Sequence, residues 1–107
     1  MAEEAEETDR SDKKIILRLN KPIMAHGEEI KEISCREPTA RDIMDIGNPV
    51  HVEYVAEEDK SVVTINDKRM GLMISRLGEI PPSSVRSMAT RDFAGAAWVL
   101  QNFFLPG

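Results

Sequence analysis

The chain is poor in the residue types that enzyme chemistry most often uses. Its single cysteine, Cys35, leaves no intramolecular disulfide to form, and a reducing cytosol is the natural setting for such a chain. The two histidines, His26 and His51, stand far apart, and neither has a cysteine or carboxylate at ligand spacing, so no metal site is expected. Glycines 27, 47, 71, 78, 95 and 107 are scattered, without the GxGxxG or GxxxxGK[ST] spacing that would cradle a phosphate. No apolar run is long enough to span a bilayer, and the N-terminus has neither the basic flank nor the apolar stretch of a secretory signal. Basic residues are outnumbered, 14 against 19 acidic for a formal charge of −5, which argues against general affinity for nucleic acid. What remains is a small soluble cytosolic protein that needs no cofactor.

At 107 residues there is room for one domain and one modest core. Residues 1–13 are polar and acidic, with Glu3, Glu4, Glu6, Glu7, Asp9 and Asp12, and cannot bury enough apolar surface to offset their ordering entropy. A disordered acidic tail is expected there, followed by a single domain over residues 14–107.

The pattern along that domain predicts an α+β fold. "KIILRL" puts Ile15, Leu17 and Leu19 on one face of an extended run, and Ile30, Ile33 and Cys35 mark a second. Pro22 and Gly27 punctuate the connection between them, which reads as a hairpin. Pro38 ends the second run. "NPVHVEYVAEEDKSVVTIN" alternates in the manner of a second hairpin with Glu57 to Lys60 at its tip, an irregular excursion being the competing reading. Three short helices follow. Asn66 caps "DKRMGLMISRL", whose Met70, Met73, Ile74 and Leu77 share one face, with Gly78 closing it. A Pro pair opens one or two turns in "IPPSSVRSM". Thr90 caps "RDFAGAAWVLQNFFL", in which Phe93, Ala97, Leu100 and Phe104 line one side, broadened by Ala96 and Phe103.

"REPTARDIM", residues 36 to 44, has the density of charge of a catalytic cluster, yet local geometry accounts for it. Thr39 with Asp42 three residues on forms a capping box, with Asp in place of Glu, and Ala40, Ile43, Met44 and Ile46 make a short apolar stripe that Gly47 stops. A cap of this kind stabilises by about 1 kcal/mol, reason enough for these residues. The cluster is read as a strand-to-helix corner. Cys35 alternates with Ile33 in a strand and reads as a buried small side chain rather than a nucleophile. Ser83 and Ser84 read as caps. "TARD" at 39 and "ATRD" at 89 look alike because both open helices.

The C-terminal helices could imitate a helix-turn-helix, which makes a small DNA-binding regulator the alternative to weigh. Past Arg91, however, the last helix carries no base, whereas a reading helix must offer polar groups to base edges. The methionines and aromatics point elsewhere. They amount to much apolar surface for one small core, and an exposed, adaptable surplus marks a protein interface. Met70, Met73, Met88, Phe93, Trp98, Phe103 and Phe104 are the candidate partner-binding residues.

"REPTARDIM", "GNPV" and "KRMGLMISRLGEIPPSSVRSMATRDFAGAAWVLQNFFLP", in that order, resemble the tail assembly chaperone family of long-tailed bacteriophages, the Mu-like and P2-like small tail proteins. The similarity runs from about Ile15 to Pro106. Its most specific pieces are Arg36-Glu37-Pro38-Thr39 with Asp42, and the block from Ile74 through "LGEIPPSSV" to Arg91-Asp92-Phe93. The family often has Trp or Leu where Phe93 stands. The resemblance implies a non-enzymatic protein that coats the apolar, helix-rich tape measure protein in the host cytoplasm and is absent from the mature virion. It also implies a longer frameshifted form that recruits the tail tube protein, with this chain as the short form, and it leaves room for a homo-oligomer. Neither membrane nor nucleic acid is among the expected partners.

Overall fold

A computed structural model describes residues 14–106; the acidic tail expected over residues 1–13 lies outside the described residues. The elements run β1 (Lys14–Ala25), β2 (Glu28–Arg36), α1 (Ala40–Ile46), β3 (Val50–Val55), β4 (Lys60–Ile65), α2 (Asp67–Gly78), α3 (Pro82–Arg86) and α4 (Thr90–Leu100). A 3₁₀ turn over Gln101–Phe103 follows. Two separate antiparallel hairpins, β1–β2 and β3–β4, with helices between and after them, make the fold α+β.

The first hairpin turns more tightly than its punctuation suggests. The turn is only His26-Gly27, with φ of 55° and 78°, the paired positive values of a two-residue connection whose twist matches that of the strands. Pro22 belongs to a bulge in β1. Arg18 pairs with Glu32 and Ile23 with Ile30, so four residues of β1 face one of β2. A proline is tolerated in a strand at such a bulge, where no ladder donor is required. The bulge also shifts phase: Ile30, three residues before Ile33, still packs against the core, opposite Ile23.

That bulge frees backbone N–H groups, and α4 satisfies them. Asp92 accepts from Asn20 N–H at 2.9 Å and Lys21 N–H at 3.0 Å, with the Asn20 amide adding a third hydrogen bond at 3.0 Å. The two backbone donors hold the Asp92 carboxyl below its ordinary range. The echo of "TARD" in "ATRD" therefore has a structural meaning beyond capping, because each motif supplies a buried aspartate that ties its helix to a strand. Thr90 is not the cap: it is the first helical residue of α4, and Ala89 occupies the N-cap. Ser84 is not a cap either. It lies inside α3, whose N-cap is Pro81 with Pro82 following, and its hydroxyl donates to the Met24 carbonyl at 2.6 Å.

The core is built on α2. Met70, Met73, Ile74 and Leu77 are buried along its inner stripe, against Leu17, Ile23, Ile33 and Cys35 from the sheet and Val85, Ala97, Leu100 and Phe104 from the helices that follow. Asn66 starts α2, its side chain accepting from Arg69 N–H at 2.9 Å. At the other end the left-handed residue is Glu79, not a glycine, and its carbonyl bonds the His26 ring at 2.9 Å. Gly78 serves a different need. A Cβ there would stand 2.5 Å from Ile33 Cγ2, so the absence of a side chain sets how closely α2 approaches β2.

Asp42 joins three elements. Its carboxylate is 1% exposed and takes two parallel hydrogen bonds from Arg36, at 2.9 and 2.8 Å. Arg76 of α2 lies 2.7 Å from the same carboxylate through Nε, and its Nη2 reaches Asp45 at 2.8 Å. The Thr39 N–H donates to Asp42 at 2.7 Å, the carboxylate half of the capping box; the Thr39 hydroxyl donates to the same oxygen at 3.3 Å. The Asp42 N–H goes to the Thr39 carbonyl at 3.0 Å. The Arg36 hydrogen bonds hold the carboxyl well below the usual carboxylate range against the opposing cost of burial.

The β3–β4 hairpin projects from this body. Val50 is buried at its base and nearly every other strand residue is exposed. The Asn66 N–H closes the base on the Pro49 carbonyl at 2.8 Å. The turn falls at residues 56–59, one residue earlier than the tip expected from the charges.

Two measurements test this account. Gly78→Ala should destabilise by about 1–3 kcal/mol despite alanine's helix preference, because the added methyl overpacks Ile33. Gly71→Ala, in the same helix but with no contact closer than 3.6 Å, should stabilise by up to about 1 kcal/mol; equal thermal midpoints for the two variants would contradict the packing described. Asp42→Asn should cost about 2–3 kcal/mol at neutral pH, toward the lower end because both guanidinium groups can still reach water. Since the native carboxyl titrates below its unfolded value near 3.9, its contribution is complete above about pH 5 and is lost as the pH falls. Denaturant midpoints of the parent should therefore drop on acidification more steeply than those of Asp42→Asn.

Candidate functional site: the apolar surface of the helices

The seven apolar side chains singled out in the sequence do not form one surface. Met70 and Met73 are 0% exposed and belong to the inner stripe of α2, so neither can meet a partner in this conformation. Their flexible thioethers fill the space between sheet and helices instead. Phe104 is also buried, turned inward by the 3₁₀ turn that leaves its neighbour Phe103 outside. Met88 is largely buried and Phe93 half-buried, both at the edge of a groove. Trp98 is 71% exposed and Phe103 41%.

Trp98 sits on the outer side of α4, where helical periodicity places it, and Phe103 is exposed on the 3₁₀ turn that follows. Asp92, Ala96, Ala97 and Leu100 face inward. Arg91, Ala94, Gly95, Trp98 and Val99 then lie on the opposite side, all exposed. Val99 and Gly95 border a shallow depression shared with Ile16 of β1, another exposed apolar side chain. A Cβ at Gly95 would meet nothing within 4 Å. The result is an apolar face with small residues at its centre and an indole at its end, carrying one cation, Arg91. A helix that reads DNA needs several polar side chains on such a face.

On the other side of the helical cluster, α2, α3 and α4 enclose an open groove of about 340 Å³. Leu72, Val85, Met88 and Phe93 form its walls and Gly71 its floor; Asp67, Lys68 and Arg86 stand at its rim. Leu72, which the sequence reading did not single out, is out of phase with the buried stripe of α2, and that phase is the signal that could have found it.

A third apolar surface lies on the projecting hairpin. The pairs Val50–Ile65, Val52–Val63 and Tyr54–Ser61 share one face, and beyond the base it is exposed. The Tyr54 hydroxyl donates to Asp59 at 2.5 Å, and that carboxylate pushes the phenol's titration up.

The groups that might have carried chemistry are otherwise occupied. Burial pushes the Cys35 thiol up to about 11, so little thiolate exists at neutral pH. Of the charges in "REPTARDIM", Arg36 and Asp42 are spent on the junction, and Arg41 reaches Asp45 at 3.9 Å on the surface of α1. Among the described residues no three His, Cys, Asp or Glu side chains converge on a point that could hold a metal. No helix among them is long and apolar enough to cross a membrane.

The chain matches no curated protein and no solved structure. It does match one family model over residues 17–105, that of the phage tail assembly chaperone proteins E, or 41 or 14. The match takes in both hairpins, apart from the first three residues of β1, and all four helices, including the Asp42 and Asp92 tethers. This chain is a member of the phage tail assembly chaperone family.

Proposed function

We propose that the protein binds the tape measure protein of its phage, a long apolar helix-rich chain, and keeps it soluble until the tail tube polymerises around it. The observation that carries this reading is the apolar surface at the C-terminal end of α4, where Trp98 and Val99 stand in water on the side of the helix turned from the core and Phe103 is exposed on the 3₁₀ turn that follows. A monomer gains nothing by exposing an indole there, and aromatic side chains of this kind are the usual anchors of protein interfaces. Ala94 and Gly95 leave room for a partner helix to approach closely, and Ile16 extends the apolar strip onto the sheet.

The role is one of binding, not catalysis, and it is performed in the host bacterial cytoplasm before the virion is complete. The formal charge of −5 keeps loaded complexes dispersed. A small apolar strip gives modest affinity per copy, which lets growing tube displace the chaperone.

Co-expression with a fragment of the cognate tape measure protein tests this directly. The parent chain should co-purify with the fragment and raise its soluble yield. Trp98→Ser and Phe103→Ser together should lower the recovered fragment by about tenfold or more, as expected for loss of two aromatic anchors. Trp98 is 71% exposed and Phe103 41%, so the double variant should stay folded by circular dichroism, with only a modest fall in thermal midpoint. Undiminished co-purification by the double variant, or none by the parent, would refute the reading.

A further inference from the structure

The groove between α2, α3 and α4 has a floor that packing does not explain. Gly71 lies in the interior of α2, where glycine costs helix stability relative to alanine. Its φ is not positive, so the backbone does not require glycine. Space does not require it either: a Cβ would stand 3.6 Å from Phe93 Cε1 and 3.7 Å from Val85 Cγ1, both ordinary contact distances. At Gly78, seven residues on in the same helix, a side chain is forbidden; at Gly71 it is merely missing. What the missing side chain does is keep the groove open down to the α2 backbone.

The rim gives that opening a charge. Lys68 and Arg86 are exposed beside it, with Asp67 as the one opposing carboxylate, a surplus of one positive charge. Lys68 and Arg86 form no ion pair among the described residues, which leaves both free to meet a carboxylate at the rim. The walls are apolar and offer an extended chain few partners for its backbone N–H and C=O groups. A helix satisfies those groups internally and presents only side chains.

We propose that this groove is a docking site for an amphipathic helix of a partner protein. Its apolar stripe packs on Leu72, Val85, Met88 and Phe93 over the Gly71 backbone, and acidic residues flanking that stripe pair with Lys68 and Arg86. The site is separate from the outer face of α4. It adds a sign rule to what the protein selects, since a helix flanked by lysine meets the rim's like charge.

The test uses the whole chain and two fluorescent designed helices of about 18 residues, five turns long, with the same leucine stripe flanked by glutamate in one and lysine in the other. Fluorescence anisotropy should show the glutamate-flanked peptide binding several-fold to about tenfold more tightly, with the difference shrinking as salt is raised. Lys68→Glu with Arg86→Glu, both at exposed positions, should reverse the preference. Gly71→Leu should fill the floor and abolish binding of both peptides, while circular dichroism shows the helical content unchanged. These peptides report on the groove whether or not the tape measure protein is the partner. Equal affinities, no binding of either peptide, or binding that survives Gly71→Leu would each overturn the proposal. So would self-association of the parent that Gly71→Leu removes, because the groove would then hold a second copy of the chain.

Discussion

A carboxylate taken out of water must recover its lost hydrogen bonds, and Asp42 recovers them from a strand, from its own helix start and from a second helix. Arg36 at the end of β2 grips it with two parallel bonds. Thr39 donates from the backbone and Arg76 arrives from α2. Because all three converge on one side chain, the path of the chain from the first hairpin into the helices is fixed at a single point. α2 is thereby set over the sheet, where Gly78 lets it settle against Ile33. α3 and α4 then pack on α2 and on β1, with Asp92 stitching α4 to the bulge. The two apolar surfaces that flank α4 inherit their geometry from this sequence of attachments.

What could be read before the fold was known follows the range of each interaction. The inner stripe of α2 and the Asn66 cap are local periodic or positional signals, and both were plain in the sequence. So was the Thr39–Asp42 pairing at the start of α1. The remainder depended on partners far along the chain. Nothing near Asp42 announces Arg76, and nothing near Asp92 announces the backbone of Asn20, 72 residues away. Pro22 looked like part of a turn because a bulge and a turn use the same residue types. Thr90 looked like a cap because threonine is common one position earlier.

The apolar residues carry a sharper lesson. The flexible side chains of Met70 and Met73 suit a binding surface, yet their spacing with Ile74 and Leu77 assigns them to the interior, where both are buried. Trp98 falls out of phase with Phe93, Ala97, Leu100 and Phe104, and that offset alone marks it as outward-facing. Phase along a helix thus outranked residue type as a guide to exposure. It distinguished Trp98 and Leu72 from the core, and it did so without any knowledge of the partner. For a tail assembly chaperone this division matters, since on the function proposed above the same apolar composition must both build a core and leave a surface for a partner.

The projecting β3–β4 hairpin shares little with the body beyond Val50, Ile65 and the closing bond at its base. A pair of strands with both faces wet is marginal by itself. Its amides will exchange hydrogen with solvent through local opening while those of α2 wait for global unfolding. The chain is accordingly two cooperative units of unequal strength joined at Pro49 and Asn66, and a protease meeting it in solution will find the arm long before it finds the trunk.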